Sequence, residues 1–245
     1  MRIPASHTAK FQLASDQSLL VYFAQDQVTT ADARPSQTAI SLREHDQVRR
    51  FLRVMELEPI PGVRNLHPAY SSVLIKFDSL KLRHEVLEEI LRGCIGQMEK
   101  VALPEPRLVE IPVCYDGEHG PDLNEVAKLR GLTPEKVVQL HSSATYVVYF
   151  LGFVPGFAYL GELPPELATP RLPTPRRSVP AGSVGIAGNQ TGVYPIATPG
   201  GWRLLGRTPL AMFRPDRAEM SLLSIGDCVH FVPISPNQFA TWEKP

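Results

Sequence analysis

Four arginines beside a glycine-rich run set the chemistry this chain could perform. Arg176, Arg177, Arg203 and Arg207 flank the segment from Val179 to Pro195, VPAGSVGIAGNQTGVYP. A guanidinium fork meets a carboxylate or phosphate with two parallel N–H bonds, so these residues suit an anionic small molecule. Arg207 lies within LLGRTP, an apolar setting that half-buries it and demands a partner. Arg177 and Arg203 read equally well as solvated surface charge. Ser183, Asn189, Gln190 and Tyr194 carry hydroxyl and amide groups that can orient a polar ligand, although turn bonding accounts for Asn189 as well. Trp202 and Phe153 wall a pocket or fill core, and for aromatic side chains core is the better reading. His141 precedes the strand leading into GFVPGF. Its imidazole can exchange a proton near neutral pH, or it can satisfy carbonyls at a helix end.

Several standard catalytic devices are missing from the sequence. There is no GxxxxGK[ST] phosphate cradle, no HExxH and no biotin-type Met-Lys-Met segment. Ser183 sits in GSVG, which lacks the GxSxG spacing of a nucleophile elbow. Cys94, Cys114 and Cys228 are odd in number and widely spaced, which argues against disulfides and paired-cysteine metal sites. Cys114 and Cys228 fall in strand-like runs and read as inert core thiols. Glu85, Glu88 and Glu89 recur at helical spacing and form a solvated face rather than an acid/base pair. A self-sufficient hydrolase or kinase is hard to build from these parts.

The elements that must position such a site can be read from periodicity. With 245 residues, 43% hydrophobic and 20% charged, the chain is a soluble globular protein of one large or two modest domains, two being the better expectation. Lys plus Arg equals Asp plus Glu at 25 each, so no net field recruits nucleic acid or an anionic membrane. No apolar run approaches the roughly 20 residues of a membrane helix, and the N-terminal segment lacks a signal-peptide pattern, so a cytoplasmic location is expected. Strands are expected over 18–23, 63–68, 72–77 and 107–115. Helices are expected over 41–58, with a capping box from Ser41 and Glu44, and over 80–98, with Val86, Leu87, Ile90, Leu91 and Ile95 on one face. This strand–helix–strand–strand–helix–strand order is the split βαβ arrangement of ferredoxin-like domains, the last strand belonging either there or to the second domain. After a Pro-containing linker at 101–106 come two short helices. Asp122 with Glu125 caps the first, and Thr133 with Pro134 starts the second. Short strands then occupy 146–151, 183–187, 193–196, 202–206 and 227–233, which favours a β-barrel or sandwich.

Longer blocks carry a resemblance: FLGFVPGFAYL from Phe150 to Leu160, the segment from Val179 to Pro195, PGGW from Pro199, and GRTP from Gly206. IPVCY from Ile111 and GPDL from Gly120 add to it. On these residues the chain resembles the KipI / allophanate hydrolase subunit 1 family over nearly its whole length. The resemblance implies an α+β protein, with a small ferredoxin-like α/β domain over 1–105 and a cyclophilin-like β-barrel over 106–245. It implies ATP-dependent opening of 5-oxo-L-proline to L-glutamate by a multi-subunit complex. The partners would be a larger KipA-type subunit and a LamB/YcsF-type subunit. ATP with Mg2+ would be shared with a partner rather than bound by this chain alone. In that setting Arg207 and Arg176 would take carboxylate or phosphoryl oxygens, and His141 would shuttle a proton. Ser183, Asn189, Gln190, Tyr194 and Trp202 would contact substrate, while backbone amides of Gly182, Gly185 and Gly188 would serve the cofactor. The family also suggests two other roles: an inhibitor of a sensor histidine kinase, and a subunit of a urea- or allophanate-processing, biotin-linked carboxylation system.

Overall fold

The computed structural model describes residues 9–23 and 42–242. The chain divides into two compact units, Met1–Glu105 and Pro106–Pro245. Among the described residues no helix is long and apolar enough to cross a membrane.

The first unit contains β1 (Lys10–Ser15), β2 (Ser18–Tyr22), α1 (Leu42–Leu57), β3 (Val63–Pro68), β4 (Ser72–Phe77) and α2 (His84–Gln97). Its sheet runs β1-β2-β4-β3 and is antiparallel throughout. From β2 to α2 the element order is the expected split βαβ. The edge strand differs: β1 lies beside β2, and Arg107–Tyr115 contributes its strand to the second sheet instead. Periodicity missed β1 because KFQLAS is mostly exposed, as suits an edge strand joined to its neighbour by a tight turn. The buried face of α2 is shifted from the expected one. The buried residues of α1 are His45, Val48, Phe51, Val54 and Met55, and those of α2 are Leu87, Leu91, Cys94 and Ile95. Leu42, Val86 and Ile90 face solvent. The helix faces pack with Leu19, Val21, Val73, Ile75 and Phe77 of the sheet into one core. Ser41 of the expected capping box lies outside the described residues.

The second unit opens with β5 (Leu108–Val113), α3 (Leu123–Arg130) and α4 (Pro134–Ser143). Strands come next: β6 (Thr145–Leu151), β7 (Ala158–Gly161), β8 (Arg176–Val179), β9 (Ser183–Ala187), β10 (Gln190–Val193), β11 (Thr198–Gly200), β12 (Arg203–Arg207) and β13 (Cys228–Pro233). A short helix, α5 (Pro236–Ala240), ends the series. Seven strands form one sheet in the order β12-β9-β10-β7-β6-β13-β5, while β8 and β11 pair separately. The two outer edges of the seven-stranded sheet meet just beyond β5. There the Cys114 amide donates to the Arg207 carbonyl at 2.9 Å, and the Arg207 amide returns the bond at 2.8 Å. This exchange closes the sheet into the barrel expected of a cyclophilin-like domain, and closure removes unpaired strand edges.

Ile111, Val113, Tyr146, Val148, Leu160, Val184, Ile186, Leu205, Val229 and Phe231 fill the interior, joined by Val126 of α3 and Val137 of α4. Thr133 caps α4 as expected, its hydroxyl accepting from the Lys136 amide with Pro134 at the first helical position. Asp122 makes no such cap on α3. Its carboxylate is committed elsewhere.

Candidate functional site

Barrel closure places Arg207 at the last position of β12, directly opposite Ser183 at the first position of β9. Residues opposed across an antiparallel pair present their side chains on the same face, so these two side chains are neighbours. Both line a pocket of about 280 Å³ together with Glu118, His119, Pro121, Arg176, Ser178, Pro180 and Leu204. That volume is at the small end of the roughly 300–1,000 Å³ typical of ligand pockets and suits a compact acid.

The approach of Gly182 to the next strand makes this corner possible. It has φ +82°, and a Cβ there would come within 2.4 Å of the Thr208 carbonyl oxygen. Only a residue without a side chain lets the segment before β9 turn this tightly against the end of β12.

The arginines have different electrostatic situations. Arg176 Nη2 donates to Asp122 Oδ1 at 2.6 Å, and the other oxygen of that carboxylate accepts from the Leu204 amide at 2.7 Å. Arg176 is therefore neutralised within the pocket wall. Arg203 is buried, its Nη1 standing 2.8 Å from Glu125 Oε1 while its Nε donates to the Pro170 carbonyl. It ties α3 to the barrel rather than facing the pocket. Arg177 is exposed. Arg207 alone of the four lines the pocket with no carboxylate partner among the described residues. Its Nε donates to the Ala181 carbonyl at 2.9 Å, which fixes the guanidinium and leaves the Nη edge for a ligand.

The remaining expected site residues lie elsewhere. His141 is in the barrel interior, with no exposed surface. Its Nδ1 lies 2.8 Å from the Tyr115 hydroxyl and its Nε2 lies 2.9 Å from Thr191 Oγ1. Thr191 Oγ1 spends its proton on the Gly185 carbonyl, so it must accept from Nε2–H, and Nδ1 must accept from Tyr115. Burial holds this neutral imidazole's pKa down to about 3. A ring so enclosed, stacked on Phe231 at 4.6 Å, is a core histidine and has no route to move protons for a bound ligand.

Tyr194 and Trp202 are buried in a second cluster with Phe157 and Leu204. The Trp202 ring meets Phe157 edge-on at 5.4 Å, so its aromatic surface fills core rather than walling the pocket. Burial raises the Tyr194 phenol pKa.

The three glycines do not offer amides to a cofactor. The Gly182 amide donates to the Tyr194 carbonyl at 2.7 Å and the Gly188 amide to the Thr169 carbonyl at 2.8 Å. Gly185 is buried within β9, where a Cβ would press on the Arg203 carbonyl at 3.1 Å and on Trp202 Cβ at 3.3 Å. Gly188, Asn189 and Gln190 form the turn at the far end of β9 from Ser183, roughly 16 Å away at about 3.3 Å per residue. Loop composition placed all of these residues together, but the length of one strand separates them.

Sequence reasoning missed Glu118 and His119, which occupy a single 3-10 turn, Gly117–His119. The signal was the Glu-His pair between Gly117 and the first glycine of the GPDL block. The His119 ring lies tilted by 39° against Phe239, centroids 4.2 Å apart, while the exposed Glu118 side chain makes no ion pair with the described residues.

The fold defines a barrel protein with a small arginine-lined pocket at the corner where the sheet closes. Residues 9–223 match the family described as "Carboxyltransferase domain, subdomain C and D", and the chain belongs to that family. It is 47% identical over 204 residues to the 5-oxoprolinase B subunit of Bacillus subtilis, covering 78% of this chain and 83% of the relative. It is 52% identical over 177 residues to the 5-oxoprolinase B subunit of Escherichia coli O157:H7, covering 72% and 78%. The solved structure of TTHA0988 superimposes with a TM-score of 0.74 at 36% identity, over 89% of this chain and 40% of that one.

Proposed function

We propose that this chain is the B subunit of a multi-subunit, ATP-dependent 5-oxoprolinase that opens 5-oxo-L-proline to L-glutamate. The uncompensated guanidinium of Arg207 beside Ser183, in a pocket sized for a compact acid, carries this reading. The naming of its relatives favours it over kinase inhibition and over biotin-linked carboxylation. Arg207 holds the anionic group of the substrate through its free Nη edge, and the Ser183 hydroxyl adds a hydrogen bond. Arg176, already paired with Asp122, shapes the wall and adds little net charge. A rigid cation waiting where the substrate's charge must sit lowers the orientational cost of binding.

The residues here do not fit a nucleotide. The Gly182 and Gly188 amides are engaged by protein carbonyls. No group of three or more described His, Cys, Asp or Glu side chains could hold a metal ion. ATP and Mg2+ are shared with the partners, a larger KipA-type subunit and a LamB/YcsF-type subunit, and the chain is inactive alone.

The test is to assemble the complex from its three chains and follow phosphate release with and without 5-oxoproline. Release that depends on 5-oxoproline supports the reading, and its absence from the complete complex refutes it. Arg207→Lys should lower turnover about tenfold or more while the complex still assembles, because a point charge cannot reproduce the fork. Unchanged turnover removes Arg207 from the site.

A further inference from the structure

The pocket presents two opposite charges that the protein leaves unmatched. Arg176 and Asp122 cancel each other. Arg207 makes only its Nε bond to a carbonyl, and Glu118, exposed on the pocket rim, makes no ion pair with the described residues; both line the same 280 Å³ space. A simple anion would satisfy Arg207 but would face the Glu118 carboxylate, and like charges in a small pocket discriminate against such a ligand. A ligand that engages both walls brings an acid group for Arg207 and an N–H donor for Glu118.

We infer that Glu118 is a second substrate-binding residue, which accepts the ring N–H of a small cyclic amide whose carboxylate is held by Arg207. This rests on the proposed function and narrows the ligand from any compact acid to acids with an adjacent N–H. It also bears on the product. Ring opening breaks the C–N bond and forms a C–O bond with water; the carbonyl carbon becomes a second carboxylate, and the nitrogen leaves as an amine that takes up the proton the water loses. The nitrogen facing Glu118 thus changes from a neutral donor to an ammonium, which a carboxylate holds more strongly.

The test compares 5-oxoproline with its lactone counterpart, in which a ring oxygen replaces the N–H and the carboxylate is unchanged. In the assembled complex the KM for 5-oxoproline and the inhibition constant of the lactone acid are measured for wild type, Glu118→Gln and Glu118→Ala. Wild type should prefer the lactam acid by about tenfold or more, the usual worth of a hydrogen bond to a charged acceptor. Glu118→Ala should abolish that preference, and Glu118→Gln, which keeps an acceptor oxygen, should retain part of it. Arg207→Ala should weaken both acids equally. A preference that survives Glu118→Ala overturns the inference but leaves the 5-oxoprolinase reading standing. Should the wild-type complex not turn over 5-oxoproline, that reading fails separately. Binding of the two acids to the full chain, followed by NMR, then decides the inference by the same ratio, and no binding of either acid overturns it.

Discussion

Asp122 and Arg176 stand 2.6 Å apart, and the same carboxylate takes the Leu204 amide at 2.7 Å, so one acidic side chain joins the start of α3, the β8 strand and the β12 strand. The Asp122 side chain is 6% exposed and that of Arg176 is 28% exposed. The cost of breaking the pair therefore depends on which partner is removed. Arg176→Ala leaves a buried carboxylate without its cation and should cost about 3 kcal/mol. Asp122→Asn leaves a partly exposed guanidinium and keeps an acceptor for Leu204, so about 1–2 kcal/mol is expected. Urea unfolding of the two variants checks the order, and a larger loss for Asp122→Asn would contradict it.

The enclosure of His141 makes stability fall in acid. Its pKa is near 6.5 in an unfolded chain and about 3 in the folded one. Above pH 6.5 both states hold it neutral and its contribution is fully present. As pH falls from 6.5 towards 3, only the unfolded state takes up the proton, which removes about 1.4 kcal/mol of stability per pH unit. His45 in the first unit, lowered to about 4 chiefly by burial, acts with the same sign. His141→Gln should flatten the slope by roughly one proton's worth across this window. Denaturation midpoints measured from about pH 7 to about pH 4 read it, and parallel curves for the two proteins would show that His141 is not the group responsible.

Two glycines with positive φ separate backbone strain from steric collision. Gly182→Ala adds a Cβ at 2.4 Å from the Thr208 carbonyl, beside the Arg207 side chain, so it should cost roughly 2–4 kcal/mol and disturb ligand binding. Gly188 has φ +58° but open space where a Cβ would go, so Gly188→Ala should cost only about 1 kcal/mol and leave binding unchanged. Melting temperatures with and without 5-oxoproline distinguish the two. Equal losses would mean that close approach is not what Gly182 provides.

Thiol accessibility is set by the same packing. Cys94 and Cys114 are buried, and desolvation raises the pKa of each. Cys228 is only partly buried in β13, which departs from the inert core thiol expected of it. A thiol-specific reagent should modify Cys228 in the native protein and reach Cys94 and Cys114 only in denaturant. Native labelling of Cys114 would mean that the barrel closure beside it opens readily.

Local chemistry made much of the architecture legible. Periodicity marked both long helices, the strands from Val63 to Phe77 and most barrel strands, because alternation and helical spacing report which face is buried. The Thr133-Pro134 helix start was equally readable. The edge strand β1 and the short strands β7, β8 and β11 were not, and β10 lies at Gln190–Val193 rather than at 193–196, since exposed or three- to four-residue strands carry too little alternation.

The sequence by itself determined that the second half would hold closely packed strands with arginines among them, because glycine, proline and β-branched residues restrict the backbone locally. Only the tertiary structure decided which arginine is available. Arg176 and Arg203 find carboxylates on segments 54 and 78 residues away by the difference in their numbering from Asp122 and Glu125, and Arg207 finds none among the described residues. It also moved His141 into the core and brought Glu118 into the pocket. Charge compensation is a property of distances in space, and strand register and barrel closure set those distances after the chain has folded.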